Sequence, residues 1–249
     1  MANQGKYIYC IIPTGDGINC PQEGIEEKTR VYPISYKDIA AVVSDTSLTI
    51  CDPTRKNMAA HNRVLEALMK EHTVLPARFG LISDDEDKLR GLLAEYYDTL
   101  KNYIGRLNGR MEAGVKVFWQ KEKVLAILKG KIQNFSKLQE AIRTAPSALA
   151  QALLVEAGRR IKSQSEEWQT KYGEEMYMRL MKVTVDGKRN YPIDISNILN
   201  ASFLVDITRE GEFDAAIYEL DAKYGDWAKI RYVKPIPAYD FVNIEMFLK

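Results

Sequence analysis

The chain has 249 residues, 28% of them charged, and its 35 lysines and arginines against 34 aspartates and glutamates leave a formal net charge of +1. So even a balance generates no long-range field for nucleic acid or an anionic membrane, and the length suits two domains better than one. The apolar stretch after Lys6 stops at Pro13, too soon for a secretory segment, and no run approaches the roughly 18 apolar residues of a membrane span. Cys10, Cys20 and Cys51 are odd in number and lack Cys-x-x-Cys spacing, so reduced thiols and a cytoplasmic location are expected.

Lys6 to Ile12, reading KYIYCII, is β-branched and aromatic and predicts a strand ended by Pro13, with Gly15, Asp16, Gly17 and Asn19 in a loop. Arg30 to Tyr36 and Ile39 to Ser44 predict two short neighbouring strands, with a tight connection or a brief helical turn between them at Lys37 and Asp38. Thr49 to Pro53 breaks the pattern. Beyond it Met58, His61, Val64, Leu65 and Leu68 recur at three and four residues, which predicts a helix from Arg55 to about His72 with these side chains on its buried stripe. Thr73 to Phe79, reading TVLPARF, predicts a strand that Pro76 places at a sheet edge or a bulge, closed by Gly80. The acidic run Asp84 to Asp87 complements a helix N-terminus. Leu89, Leu92, Leu93, Tyr96, Tyr97, Leu100, Tyr103, Ile104 and Leu107 then predict one unbroken helix of about five turns, stopped by Asn108 and Gly109. A strand follows from Met111 to Trp119.

A domain boundary falls here, giving an N-terminal α+β domain over residues 1–109 and a second domain over 110–249. In the second, Lys121 to Arg143 and Ser147 to about Lys182 read as a long helical region interrupted at Pro146, which is expected in a first-turn position. Arg159 to Lys171 is polar with Trp168 as its one large apolar residue, so this helix is expected to pack only part of its surface. Asp186 to Pro192 reads as a turn-rich loop, Ile198 to Ile207 as a strand and Gly211 to Lys223 as a short helix. Lys229 to Ile236 reads as a final strand, paired with Phe241 to Ile244. The fold class expected is α+β with two domains, the second a modified ferredoxin-like sandwich carrying inserted helices at about 130–182.

The search for chemistry returns absences. His61 and His72 lie about 16 Å apart along a helix and cannot share a metal. There is no His-Glu-x-x-His, Cys/His cluster or EF-hand pattern, so no metal or cofactor is expected. Gly15-Asp16-Gly17 is a turn rather than a phosphate loop, Asp84 to Asp87 serve as helix caps, and no serine sits in a Gly-x-Ser-x-Gly elbow. No catalytic constellation remains, and the chain is read as a non-enzyme. His61 is expected as a packed, hydrogen-bonded histidine of the helix stripe. Arg78 is a lone guanidinium among residues that prefer burial, and it calls for an internal salt bridge or carbonyl contacts in the first domain, or else for contact with another protein.

Taken in order, these features resemble the gas vesicle protein F/L family (GvpF/GvpL). The likeness lies in the YIYCIIP strand, Ile39-Ala40-Ala41-Val42-Val43-Ser44, the helix with His61-Asn62-Arg63-Val64-Leu65-Glu66, and above all Thr73-Val74-Leu75-Pro76-Ala77-Arg78-Phe79-Gly80. It continues through Met111-Glu112, Val115-Lys116-Val117-Phe118-Trp119 and Phe203-Leu204-Val205-Asp206. Where the family carries a Gly-Pro-Trp-Pro-Pro-Tyr-like stretch, this chain has Lys234-Pro235-Ile236-Pro237-Ala238-Tyr239. The motif residues singled out, as structural or partner contacts, are His61, Leu75, Pro76, Arg78, Phe79, Gly80, Glu112, Trp119, Pro237 and Tyr239. What the resemblance implies is a minor protein of the cytoplasmic gas vesicle, without enzymatic activity or cofactor. Such a protein would bind the hydrophobic, GvpA-like shell protein and other accessory proteins, and would assist nucleation and growth while limiting aggregation. Neither nucleic acid nor membrane is an expected partner. Recognition would use strand addition at a sheet edge or a groove beside the long helices. The alternative is a ferredoxin-like enzyme or small-ligand-binding protein in which His61 and Arg78 converge on a cleft. Nucleic-acid binding by the sheet would have only Tyr232 and Lys234 to draw on.

Overall fold

The computed structural model describes residues 4–14, 22–124, 127 and 134–242. The expected loop at Gly15 to Asn19, Cys20 and the end of the expected strand at Asn243 and Ile244 lie outside them. The fold mixes helices with two sheets, and the chain divides into two compact units, Met1–Glu112 with Pro235–Lys249, and Ala113–Lys234.

In the first unit, strands β1 (Gly5–Pro13), β2 (Val31–Tyr36), β3 (Ile39–Thr46), β4 (Leu75–Pro76) and β5 (Ile82–Ser83) form one antiparallel sheet. Its order is β2-β3-β1-β4, with β5 also on β1. Burial of β1 is continuous from Tyr7 to Ile12, as expected of a central strand covered on both faces. Helix α1 (Arg55–Leu68) covers one face, and its Ala60, Val64, Leu65 and Leu68 join Tyr7, Tyr9, Ile12 and Val42 in one apolar cluster. Helices α2 (Glu86–Glu95) and α3 (Tyr97–Leu107) pack Leu89, Leu93, Leu100 and Ile104 against the other face. Thr54 caps α1 by accepting the Asn57 N–H at 3.2 Å, and Asp85 caps α2 through the Lys88 N–H at 2.7 Å.

Several expectations are corrected here. Met58 lies off the buried stripe and is 46% exposed, its place taken by Ala60, and α1 ends at Leu68 rather than His72. The single helix expected through Leu107 is broken at Tyr96, whose φ of −99° and ψ of 12° leave helical geometry. The reason lies next door, because Tyr97 donates its hydroxyl to Asp38 at 2.5 Å and sets its ring edge-on to Tyr36, docking the new helix on the β2–β3 turn. That turn is two residues long, with Lys37 at φ +51° and its ammonium 4.2 Å from the Tyr97 ring centre.

The second unit is entered within β6 (Arg110–Trp119) at Ala113, continues through α4 (Phe135–Thr144), α5 (Ser147–Met181), β7 (Asp186–Arg189), β8 (Asn197–Asp206) and α6 (Glu210–Tyr224), and is left within β9 (Ala228–Ile236) at Lys234. The sheet order is β7-β8-β6-β9. Strand β7 falls where a loop was expected. Asp-Gly-Lys-Arg has no strand propensity, and pairing with β8 from Asp186↔Leu204 to Arg189↔Ala201 imposes the conformation. Pro146 is the residue before α5, with ψ of 152°, and not in its first turn. Residues 237–242 turn rather than forming a strand. Helix α5 packs its C-terminal half on the sheet through Trp168, Gly173, Met176 and Leu180. Trp168 lies at the centre of a ring cluster with Trp119, Tyr172 and Trp227, at centroid distances of 5.6, 5.8 and 5.1 Å. The N-terminal half has a smaller core, where Phe135 and Leu138 of α4 meet Leu153, Ala157 and Ile161.

Two glycines of α5 separate packing from propensity. A Cβ on Gly173 would come 2.6 Å from the Ile198 carbonyl oxygen, whereas one on Gly158 would meet nothing within 4 Å. Gly158→Ala should therefore raise unfolding stability by up to about 1 kcal/mol, while Gly173→Ala should lower it because helix and strand must separate. Urea denaturation of the two variants checks the opposite signs.

Candidate functional site

The TVLPARFG segment becomes a bulged sheet edge. Register places Cys10 opposite Pro76 and Tyr7 opposite Ile82. Between these pairs the five residues Ala77 to Leu81 face only Ile8 and Tyr9, so three are looped out. The ladder closes on either side through the Ala77 N–H to the Tyr9 carbonyl and the Ile8 N–H to the Leu81 carbonyl, each 2.9 Å. Arg78, Phe79 and Gly80 form the loop. Gly80 sits at φ +85°, a conformation that costs glycine little and other residues more. Leu75, Pro76 and Ala77 are buried beneath it.

The bulge rests on a chain of polar groups that runs from buried Tyr7 and His61 to Tyr239, which is 40% exposed. The Gly80 N–H donates to the Tyr7 hydroxyl at 3.1 Å, that hydroxyl lies 3.0 Å from His61 Nδ1, and His61 Nε2 lies 3.1 Å from the Tyr239 hydroxyl. Since Tyr7 accepts from Gly80, its own proton goes to Nδ1, and Nε2–H is left to donate to Tyr239. Every link then has a partner. The His61 ring is 1% exposed, stacked on Tyr9 at 5.6 Å and edge-on to Phe79 at 5.7 Å. Burial drives its pKa down to about 4, with the Ala77 carbonyl opposing that shift. Burial likewise raises the Tyr7 pKa and pushes that of Tyr239 up to about 12, so all three groups are neutral near pH 7.

The tail is fastened at a second point, where buried Glu112 accepts the Asp240 N–H at 3.1 Å. Ala238 and Phe241 are buried on either side of these contacts, and Pro237 begins the turn with its carbonyl 2.7 Å from the Tyr239 N–H. The structure thus brings His61, Leu75, Pro76, Phe79, Gly80 and Tyr239 together, with Pro237 at the start of the tail and Glu112 of β6 holding it at Asp240. Trp119 is elsewhere, in the ring cluster of the second unit. For Arg78 the internal salt bridge or carbonyl contact is not found among the described residues, which leaves the alternative of contact with another protein. The side chain is exposed and, among those residues, has neither ion pair nor hydrogen bond. With His61 buried and occupied on both nitrogens, the two side chains share no cleft and the ligand-site alternative falls. Sequence reasoning missed the pairing of Tyr7 with His61. The signal lay in a histidine on an apolar stripe beside a strand with tyrosines two residues apart. Among the described residues no group of three or more His, Cys, Asp or Glu could hold a metal, and no helix is long and apolar enough to cross a membrane.

Residues 5–243 match the family described as gas vesicle synthesis protein GvpL/GvpF. The chain belongs to that family. Among its relatives are gas vesicle protein F1 of Halobacterium salinarum, 28% identical over 98% of this chain and 95% of the relative, and gas vesicle protein F of Nostoc sp., 24% identical over 97% and 99%. Gas vesicle protein L of a Streptomyces is 25% identical over 74% of this chain and 68% of its own. The crystal structure of GvpF from Anabaena sp. shares the fold, with a TM-score of 0.77 at 24% identity covering 98% of both chains. That of GvpF from Microcystis aeruginosa has a TM-score of 0.73 at 21% identity, covering 96% of this chain and 99% of its own.

In this GvpL/GvpF member the depressed pKa of His61 links stability to pH. The folded state holds the imidazole neutral, while the unfolded chain takes up a proton near pH 6.5. Stability is therefore complete above that value and lost as pH falls toward 4. The expected loss between pH 7 and 5 is about 2 kcal/mol. Guanidinium unfolding across this window should show the slope, and His61→Ala should lack it. Tyr239→Phe, which keeps the imidazole, should retain the slope while starting about 1 kcal/mol lower.

Proposed function

We propose that this protein is a non-catalytic assembly factor of the gas vesicle. In this reading it acts in the cytoplasm, binds the small hydrophobic, GvpA-like shell subunit together with other accessory proteins, and assists nucleation and growth while limiting aggregation. Family membership supports the gas vesicle setting. The observation that carries the binding reading is the exposed apolar surface of the N-terminal half of α5, where Leu149, Leu154 and Val155, spread around the helix, are 54%, 57% and 69% exposed. No charge occurs from Ala145 to Val155. Leu153 and Ala157 turn toward α4, and among the described residues Val155, on the other side of the helix, is left to meet an apolar surface, with Leu149 and Leu154 at its flanks.

Strand addition has less in its favour, because each sheet edge is blunted. Pro33 lies in β2, Pro76 and the three-residue bulge interrupt the β4–β5 edge, β7 is only Asp-Gly-Lys-Arg, and β9 exposes Lys229, Arg231 and Pro235. Such devices prevent unplanned pairing. The order of the second unit, β, paired helices, β, β, α, β with sheet order β7-β8-β6-β9, supports the ferredoxin-like reading with an enlarged helical region.

Exchange of Leu154 and Val155 for Asp, both exposed, should leave the fold intact and reduce recovered shell subunit severalfold in pull-downs from vesicle-forming cells, with fewer vesicles by electron microscopy. Unchanged vesicle yield on deletion of the gene, with no shell subunit recovered by the wild-type chain, would sink the proposal.

A further inference from the structure

Arg78 is presented rather than merely exposed. A bulge in an edge strand re-aims a side chain that regular alternation would place differently. This one is held by the Gly80 N–H to Tyr7, by Phe79 packed on Tyr7 and His61, and by the left-handed backbone at Gly80. The bulge fixes where the guanidinium emerges, and from there it can offer a carboxylate two parallel N–H donors. Its surroundings add apolar surface. A Cβ on Gly80 would lie 3.7 Å from the Cys51 carbonyl oxygen, so the bulge abuts the loop in which the neighbouring Ile50 is 79% exposed. Further along the same edge Leu48 and Ile82 line an open depression of about 610 Å³ whose other walls are polar, with Thr46, Ser47, Ser83 and Asp84 among them.

We propose that this edge is a docking surface for a protein segment carrying a carboxylate beside an apolar side chain, the carboxylate pairing with Arg78 and the apolar side chain seated against Ile50 and the depression. Charge complementarity selects the occupant, because the exposed cation has no anionic partner among the described residues. The inference rests on the preceding section in taking the shell subunit as the protein that supplies the segment. It adds an ionic contact in the first unit to the apolar contact on α5.

The test is a pull-down from vesicle-forming cells with the tagged full-length chain, recovered shell subunit being quantified by immunoblot at low and high salt. Arg78→Glu should recover at least tenfold less than wild type at low salt, and Arg78→Ala should lose most of the salt dependence. Arg63→Glu, a charge reversal at another exposed arginine, should match wild type. Thermal unfolding of all variants should coincide, since Arg78 supports nothing within the fold. If wild type recovers the subunit and Arg78→Glu recovers as much, the docking surface is refuted while the assembly reading stands. Equal losses in the Arg78 and Arg63 variants would also refute it, as a general charge effect. If wild type recovers no subunit, the assembly reading fails and this inference with it.

Discussion

The hydrogen bond between His61 Nε2 and the Tyr239 hydroxyl joins side chains 178 positions apart, and the arrangement of the first unit depends on it. Through Tyr7 the same ring is coupled to the Gly80 N–H, so helix α1, the central strand, the edge bulge and the tail share one set of protons. Networks of this kind are worth having only when complete. A buried hydroxyl or imidazole nitrogen without a partner costs about 1–3 kcal/mol, comparable to the gain from each bond in the chain. A purely apolar stripe on α1 would cover the sheet equally well. It would not require the Tyr239 hydroxyl at one position or fix the backbone at Gly80.

In the second unit the controlling quantity is length. Helix α5 has 35 residues and so runs about 52 Å, whereas the ten-residue β8 on which it packs spans about 33 Å. The half bearing Trp168, Gly173, Met176 and Leu180 is anchored by the sheet and by Gln169, which donates to the Asn197 carbonyl at 2.8 Å. Among the described residues the other half has only α4 beside it. A single partner helix buries one stripe, and Leu154 and Val155 fall outside that stripe. Exposure of these side chains is thus a geometric consequence of a helix that outruns its sheet.

How much of this was legible in the sequence depended on whether local chemistry or distant contacts decided each element. Strand β1, helix α1, the hairpin through Lys37 and Asp38 and the edge position of Pro76 followed from patterns within a few residues, and they appear in the structure. The break at Tyr96 did not, because helical periodicity continues through it and the cause is the docking of Tyr97 on Asp38, 59 positions away. Strand β7 was invisible for a similar reason, since only its pairing with β8 makes Asp-Gly-Lys-Arg extended. At the candidate site His61 was read correctly as packed and hydrogen-bonded, yet its partners come from β1 and the tail. For Arg78 only the internal-partner alternative failed, because the apolar neighbours that suggested burial, Leu75, Pro76 and Ala77, lie in the edge itself, whereas the guanidinium stands on the loop that leaves it.

The two exposed features follow different physical rules. The apolar face of α5 attracts without direction and without regard to salt, and alone it would hold any apolar surface, including a second copy of this chain. Arg78 is directional and screened by salt, and alone it would hold a carboxylate only weakly because water competes for both charges. On the proposed reading, a subunit that must be kept from its own kind and later released needs contacts of both types. The apolar face makes association favourable, while the cation restricts it to partners with a carboxylate in reach. Blunted strand edges belong to the same logic. A protein that handles an aggregation-prone partner has most to lose from unpaired backbone of its own, and proline, bulge and lysine together leave side chains rather than strand edges as the means of recognition.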